Sequence, residues 1–93
     1  MSARRRLRVR GRVQGVGFRW FVREQARALG LSGWVRNNED GTVELEVSGS
    51  DADVAQLEAI VRQGPDSALV AEVIVLPAQE GAAPLAPGFQ VQH

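Results

Sequence analysis

The apolar residues of this chain change their period several times, and the order of the changes leaves few architectures open. Leu7, Val9 and Val13 alternate with Arg8, Arg10 and Arg12, the two-residue period of a half-buried strand over 7–13. From Phe18 to Leu29 the period lengthens. Phe18, Phe21, Val22, Ala26 and Leu29 fall on one helical stripe, Arg23, Glu24 and Arg27 are left for solvent, and Gly30 suits the stop. A second strand is predicted over 31–37, "LSGWVRN", followed by a hairpin turn at Asn38-Glu39-Asp40-Gly41. Over 42–48, Val43, Leu45 and Val47 alternate with Glu44 and Glu46. Ser50 or Asp51 is placed to cap a second helix, with Val54, Leu57, Ile60 and Val61 on its apolar face and Gly64-Pro65 at its end. The β-branched run over 69–76 predicts a fourth strand, Pro77 to Gly88 a surface loop, and Phe89 to Gln92 a short last strand.

Strand-helix-strand-strand-helix-strand is the split-βαβ pattern of a ferredoxin-like α+β sandwich. The expected sheet order is 4-1-3-2, with both helices on one face, in a single domain over residues 1–93. The first two strands then point the same way. The loop after the first and the end of the second meet at one sheet edge, which brings Gly15 to Arg19 near Asn37. The third strand lies antiparallel beside the first, so Glu44 and Glu46 are expected to share the open face with Arg8, Arg10 and Arg12.

That pairing bears on the charge distribution. Net charge is zero, yet Arg4, Arg5, Arg6, Arg8, Arg10, Arg12 and Arg19 place seven of the eleven basic residues in the first nineteen positions. Such a bias suggests an anionic partner, but glutamates on the neighbouring strand answer it within the fold. The chain has no cysteine, and its one histidine is His93. This excludes a disulfide frame, a thiol nucleophile and a cysteine-based metal site, and argues against a histidine-based metal centre or triad. The arginine-rich start lacks the apolar core of a signal peptide, and no run approaches a membrane span. A cytoplasmic protein without metal or cofactor is expected.

The remaining chemistry lies in "GRVQGVGFRWFV", residues 11–22. It lacks the third glycine of a dinucleotide fingerprint, and with no lysine in the chain it is not a Walker loop. What is left is a glycine loop running into a helix N-terminus, either an ordinary strand–turn–helix connection or an anion cradle. Arg19 favours the cradle. An arginine in the first helical turn opposes the helix dipole unless an anion answers both, and its guanidinium can grip two phosphate oxygens. Asn37 and Asn38 read as hairpin residues, but alternation turns Asn37 toward the loop and Asn38 away, with Trp34 and Arg36. Trp20, Phe21 and Trp34 read as core or rim packing.

"GRVQGVGFRWFV" followed by "GLSGWVRNNEDGTVE" closely resembles the acylphosphatase family over nearly the whole chain. The resemblance implies hydrolysis of the carboxylic–phosphoric anhydride of an acyl phosphate to carboxylate and inorganic phosphate, without metal or cofactor. By position, main-chain N–H groups of Gln14, Gly15, Val16, Gly17 and Phe18 would wrap the phosphate. Arg19 would clamp its oxygens and Asn37 would hold the attacking water. The inventory suits that reaction, because the leaving carboxylate, whose conjugate acid has a pKa of roughly 4, needs no general acid. The water proton would pass to a phosphate oxygen. The chain departs from the family in ending Phe89-Gln90-Val91-Gln92-His93 rather than on an aromatic strand closed by tyrosine, and in a long 77–88 connection. Both departures are expected to touch edge packing more than chemistry.

Two other readings share this element order. RNA-recognition domains stack bases on aromatic residues of the two central strands. Here those positions hold Arg8, Arg10, Arg12, Glu44 and Glu46, so nucleic acid is not expected as a partner. An acylphosphatase-like module of a larger carbamoyl-transfer enzyme would bring zinc-type cysteines, which this chain lacks. The expected partners are a small acyl phosphate and inorganic phosphate, with no membrane, and a monomer is expected.

Overall fold

The computed structural model describes residues 2–77 and 83–93. Its elements are β1 (Ser2–Arg12), α1 (Phe18–Ala28), β2 (Ser32–Asn37), β3 (Val43–Ser50), α2 (Asp51–Gln63), β4 (Leu69–Leu76) and β5 (Phe89–Gln92). The sheet order is β4-β1-β3-β2-β5, which is the expected order with β5 added beside β2. β3 runs antiparallel to both β1 and β2, whereas β5 runs parallel to β2. β1, β2 and β5 therefore all finish at the same edge of the sheet.

The inward positions of the strands and the helical stripes close one core. Leu7 and Val9 of β1, Val35 of β2 and Val43, Leu45 and Val47 of β3 are buried against Phe18, Val22 and Ala26 of α1 and Val54, Leu57 and Val61 of α2. Phe89 closes the core from β5. Each large apolar side chain removed from water in this way contributes roughly 1.5–3 kcal/mol, before chain entropy is counted. Helix α2 is capped by Ser50, whose Oγ accepts the Asp53 N–H at 3.2 Å, with Asp51 and Asp53 complementing the dipole in its first turn.

β1 starts at Ser2, earlier than the alternation implied. Arg4 and Arg6 lie on the open face, but Arg5 points to the helix layer and reaches Glu58 of α2 at 2.8 Å. An arginine in an inward position hides the strand period, since its long stem spans the layer and its charge finds a partner at the rim. The open-face pairing also differs from expectation. Arg4 meets Glu46 at 3.0 Å, Arg6 and Arg8 both meet Glu44, and Arg10 pairs instead with Glu72 of β4 at 2.8 Å. The β1–β3 ladder stops at Val9 and Val43, so Arg10 and Arg12 extend past β3 and have only β4 beside them, where Arg12 faces Leu69.

Of the predicted Pro77–Gly88 loop, residues 78–82 lie outside the described residues, and 83–88 form no helix or strand.

Candidate active site

The loop between β1 and α1 turns on two glycines. Gly15 has φ +75° and Gly17 φ +79°, left-handed values that L side chains adopt only at a cost, and no atom crowds the place where a Cβ would stand. What the loop requires at both positions is backbone conformation rather than space. Gly17 is also the N-cap of α1, without a side-chain cap and with no acidic residue in the first turn. The first intrahelical bond runs from the Phe21 N–H to the Gly17 carbonyl at 3.0 Å. The N–H groups ahead of Phe21 in that turn have no carbonyl one turn back to receive them, and the positive end of the helix dipole is left unanswered.

Two side chains hold this loop in place. The Gln14 amide donates through Nε2 to the carbonyls of Asn38 (2.8 Å) and Thr42 (2.9 Å), tying the loop to the β2–β3 hairpin. Ser67, just before β4, donates from Oγ to the Val16 carbonyl at 2.8 Å. The Gln14 side chain and the Val16 carbonyl are thus committed to the scaffold.

Beside the loop lies a cavity of about 220 Å³ lined by Val13, Gly15, Gly17, Phe18, Arg19, Trp20 and Asn37. The fold therefore brings together Gly15, Gly17, Phe18, Arg19 and Asn37 from the predicted set, across the gap from 19 to 37 in sequence. Gln14 and Val16 flank the cavity without lining it. Asn37, the last residue of β2, is exposed and its side chain has no hydrogen bond among the described residues. Asn38 turns to the other face, where its Nδ2 donates to Thr42 Oγ1 (3.0 Å) and Glu44 Oε1 (3.1 Å). The alternation separating the two asparagines holds, but Asn38 is an anchored residue rather than a plain turn residue.

Arg19, in the first turn of α1, donates from Nη1 to the main-chain carbonyl of Gln92 in β5, at 3.2 Å. Sequence reasoning missed this contact, because nothing in "FQVQH" reveals that the strand runs parallel to β2 and ends beside α1. It also missed Trp20 as a cavity wall. Trp20 is 55 % exposed, with the Arg23 guanidinium 4.7 Å from its ring centroid, so it is not a core residue. A larger cavity, about 330 Å³, lies by Arg27, Leu31 and Phe89, but Arg27 is spent on the Phe89 carbonyl at 3.1 Å and no second polar side chain but Gln90 joins it. Among the described residues no three histidine, aspartate or glutamate side chains converge as a metal would require, and no helix is long and apolar enough to cross a membrane.

A glycine loop, a free helix N-terminus, a guanidinium and a carboxamide around one small cavity suit a tetrahedral oxyanion with a polar group beside it. The fold and the cavity thus define a ferredoxin-like α+β protein with a glycine loop, a helix N-terminus and an arginine around one cavity at a sheet edge. Residues 5–90 match the family model for Acylphosphatase. The chain is 48 % identical over 84 residues to acylphosphatase 2 of Ralstonia nicotianae, covering 90 % of this chain and 86 % of that one. It is 51 % identical over 72 residues to an acylphosphatase of Thermococcus kodakarensis, covering 77 % and 79 %. Its fold superposes on the crystal structure of acylphosphatase from Bacillus subtilis with a TM-score of 0.86 at 34 % identity, over the whole of both chains. The chain belongs to the acylphosphatase family, and it is an acylphosphatase enzyme.

Proposed function

We propose that this acylphosphatase cleaves the anhydride bond of acyl phosphates in the cavity between the 14–18 loop and Asn37. The observation that carries the reading is the convergence of Arg19, the uncapped N-terminus of α1 and Asn37 on one cavity. The phosphoryl group sits on the main-chain N–H groups of the loop, where the helix dipole and the guanidinium meet its charge as the bond to the leaving oxygen stretches. Gln14 and Val16 contribute through the main chain, since the Gln14 side chain is bonded to the hairpin. Asn37 orients a water in line with the leaving carboxylate, its carboxamide free for that purpose. Water attacks phosphorus, the P–O bond to the acyl group breaks, and the carboxylate leaves as the anion. The water proton passes to a phosphoryl oxygen, so the products are carboxylate and inorganic phosphate and no side chain has to titrate. The acyl group lies against Trp20 at the mouth.

The expected setting is a cytoplasmic monomer of one domain, working on a small-molecule substrate with neither metal nor cofactor. The assay is hydrolysis of benzoyl phosphate by purified protein in the presence of a metal chelator. Turnover with competitive inhibition by inorganic phosphate supports the assignment. Phosphate titrated into labelled protein should move the amides of Val16 to Arg19 first; largest shifts at Arg8, Arg10 and Arg12 would overturn the placement.

A further inference from the structure

On the open face of the sheet, where most side chains meet water, Glu44 is only 1 % exposed. Its Oε2 accepts from Arg6 Nε at 2.7 Å and from Arg36 Nη2 at 3.5 Å; its Oε1 accepts from Arg8 Nη2 at 3.4 Å and from Asn38 Nδ2 at 3.1 Å. Arginines from both neighbouring strands thus roof one carboxylate, and the hairpin asparagine is drawn in beneath them. Asn38 gives its second Nδ2 hydrogen to Thr42 Oγ1, and Thr42 in turn donates from Oγ1 and N–H to Asp40 Oδ1 at 2.6 and 3.0 Å. The main chain of the same two residues receives Gln14. The turn is therefore pinned from the open face by Glu44 and from the loop by Gln14.

Asn37 has no comparable tie. Its side chain has no partner among the described residues, so its position follows from the backbone, which pairs with Val43 at the end of the ladder and runs straight into Asn38. The Asn38 side chain is the nearest side-chain tie on that strand end.

We infer that Glu44 is a positioning residue for the hydrolysis, fixing the Asn37 carboxamide over the phosphate cradle through Asn38. The inference rests on the reading of Asn37 as the residue that orients water. Burial of a carboxylate under three guanidiniums is otherwise a poor way to gain stability, since desolvation offsets much of the attraction. What it gives instead is a buried acceptor for the Asn38 amide, one residue along the chain from Asn37. Glu46 makes the useful contrast: it lies on the same strand and face and pairs with Arg4 at 3.0 Å, but among the described residues its side chain makes no hydrogen bond to the turn residues 38–42.

The test compares Glu44→Gln, Asn38→Ala, their double variant, Glu46→Gln and Asn37→Ala, reading kcat on benzoyl phosphate and the inhibition constant of phosphate. Glu44→Gln and Asn38→Ala should each lower kcat about tenfold or more, as a misplaced catalytic group does, while phosphate inhibition changes less than about twofold. The double variant should be no slower than the worse single one, because both cut the same chain of contacts. Glu46→Gln should keep the wild-type kcat. The Asn37 side-chain amide signals of labelled protein should move in Glu44→Gln and stay in Glu46→Gln. If Glu44→Gln fails to fold, the kcat of Asn38→Ala and the Asn37 amide signals of that variant still decide. A folded Glu44→Gln or Asn38→Ala with wild-type kcat, or an equal loss in Glu46→Gln, overturns the inference. A silent Asn37→Ala overturns the water assignment beneath it, whereas a damaging Asn37→Ala beside silent Glu44 and Asn38 variants overturns the clamp alone.

Discussion

The Arg19 guanidinium donates to the main-chain carbonyl of Gln92, 3.2 Å away and 73 residues on in sequence. One end of the guanidinium is anchored to β5, and its other N–H donors have no hydrogen-bond partner among the described residues. β5 thus supports an arginine that lines the cavity.

Arg19→Ala should lower kcat/KM on acyl phosphates by about 10³–10⁵, the effect of losing a phosphate-clamping arginine. Phosphate should cease to inhibit at concentrations that inhibit the wild type. Lysine at this position should recover only part of the loss, since a point charge lacks the bidentate fork and cannot hold Gln92 and the anion together. Steady-state kinetics with phosphate inhibition for each variant decides it.

Deleting Gln92 and His93 should weaken phosphate inhibition by about fivefold, the order expected for one exposed hydrogen bond to a charged group. Wild-type inhibition in the truncated protein would show that Arg19 needs no anchor from β5.

Asn37→Ala should depress the chemical step by about 10²–10³, as removal of one preorganised polar group does. Phosphate affinity should change far less, because the loop and Arg19 still hold the anion. Single-turnover hydrolysis and phosphate binding on one preparation separate the two effects.

Trp20→Ala should raise KM for benzoyl phosphate about tenfold and for acetyl phosphate only about twofold, since an aromatic acyl group loses a stacking surface that acetyl never uses. Equal changes for both substrates would remove Trp20 from the acyl site.

Glu44 sets an acid limit on stability. Burial pushes its carboxyl up, but hydrogen bonds from Arg6 and Asn38 and the charge of Arg6 outweigh burial and hold it below its ordinary value of 4.5. The carboxylate therefore stabilises the fold fully above that ordinary value, and the contribution fades as pH falls through the lower folded value. Asp40, held down by its bonds from Thr42, works in the same direction from the surface. Urea melts near neutral pH should show Glu44→Gln destabilised by about 1–3 kcal/mol, with the difference from wild type shrinking as pH falls below the ordinary value of 4.5. A gap that persists in acid would mean that packing, not charge, is lost.

Most of the elements, and five of the residues that line the cavity, were legible because their signals are local. The 7–13 alternation, the 18–29 stripe and the Asp40-Gly41 turn each lie within one element, and strand parity alone separated Asn37 from Asn38. Arg5 misled because its charge is satisfied across a layer by Glu58, a partner 53 residues away. Trp20 misled because an aromatic residue near a helix stripe reads as packing, and only the assembled surface leaves it more than half exposed, with Arg23 over its ring.

By itself the sequence determined the element order, the inward faces, the glycine loop running into α1 and the family that carries it. Those are properties of backbone preference and side-chain period, set by neighbours a few residues apart. Only the tertiary structure decided that β5 lies parallel to β2, that its last carbonyl holds Arg19, and that Arg6, Arg8 and Arg36 close over Glu44. Such contacts depend on which strand ends share a sheet edge and where each ladder stops. They are set by three-dimensional register, on which the spacing of residues along the chain places no direct constraint.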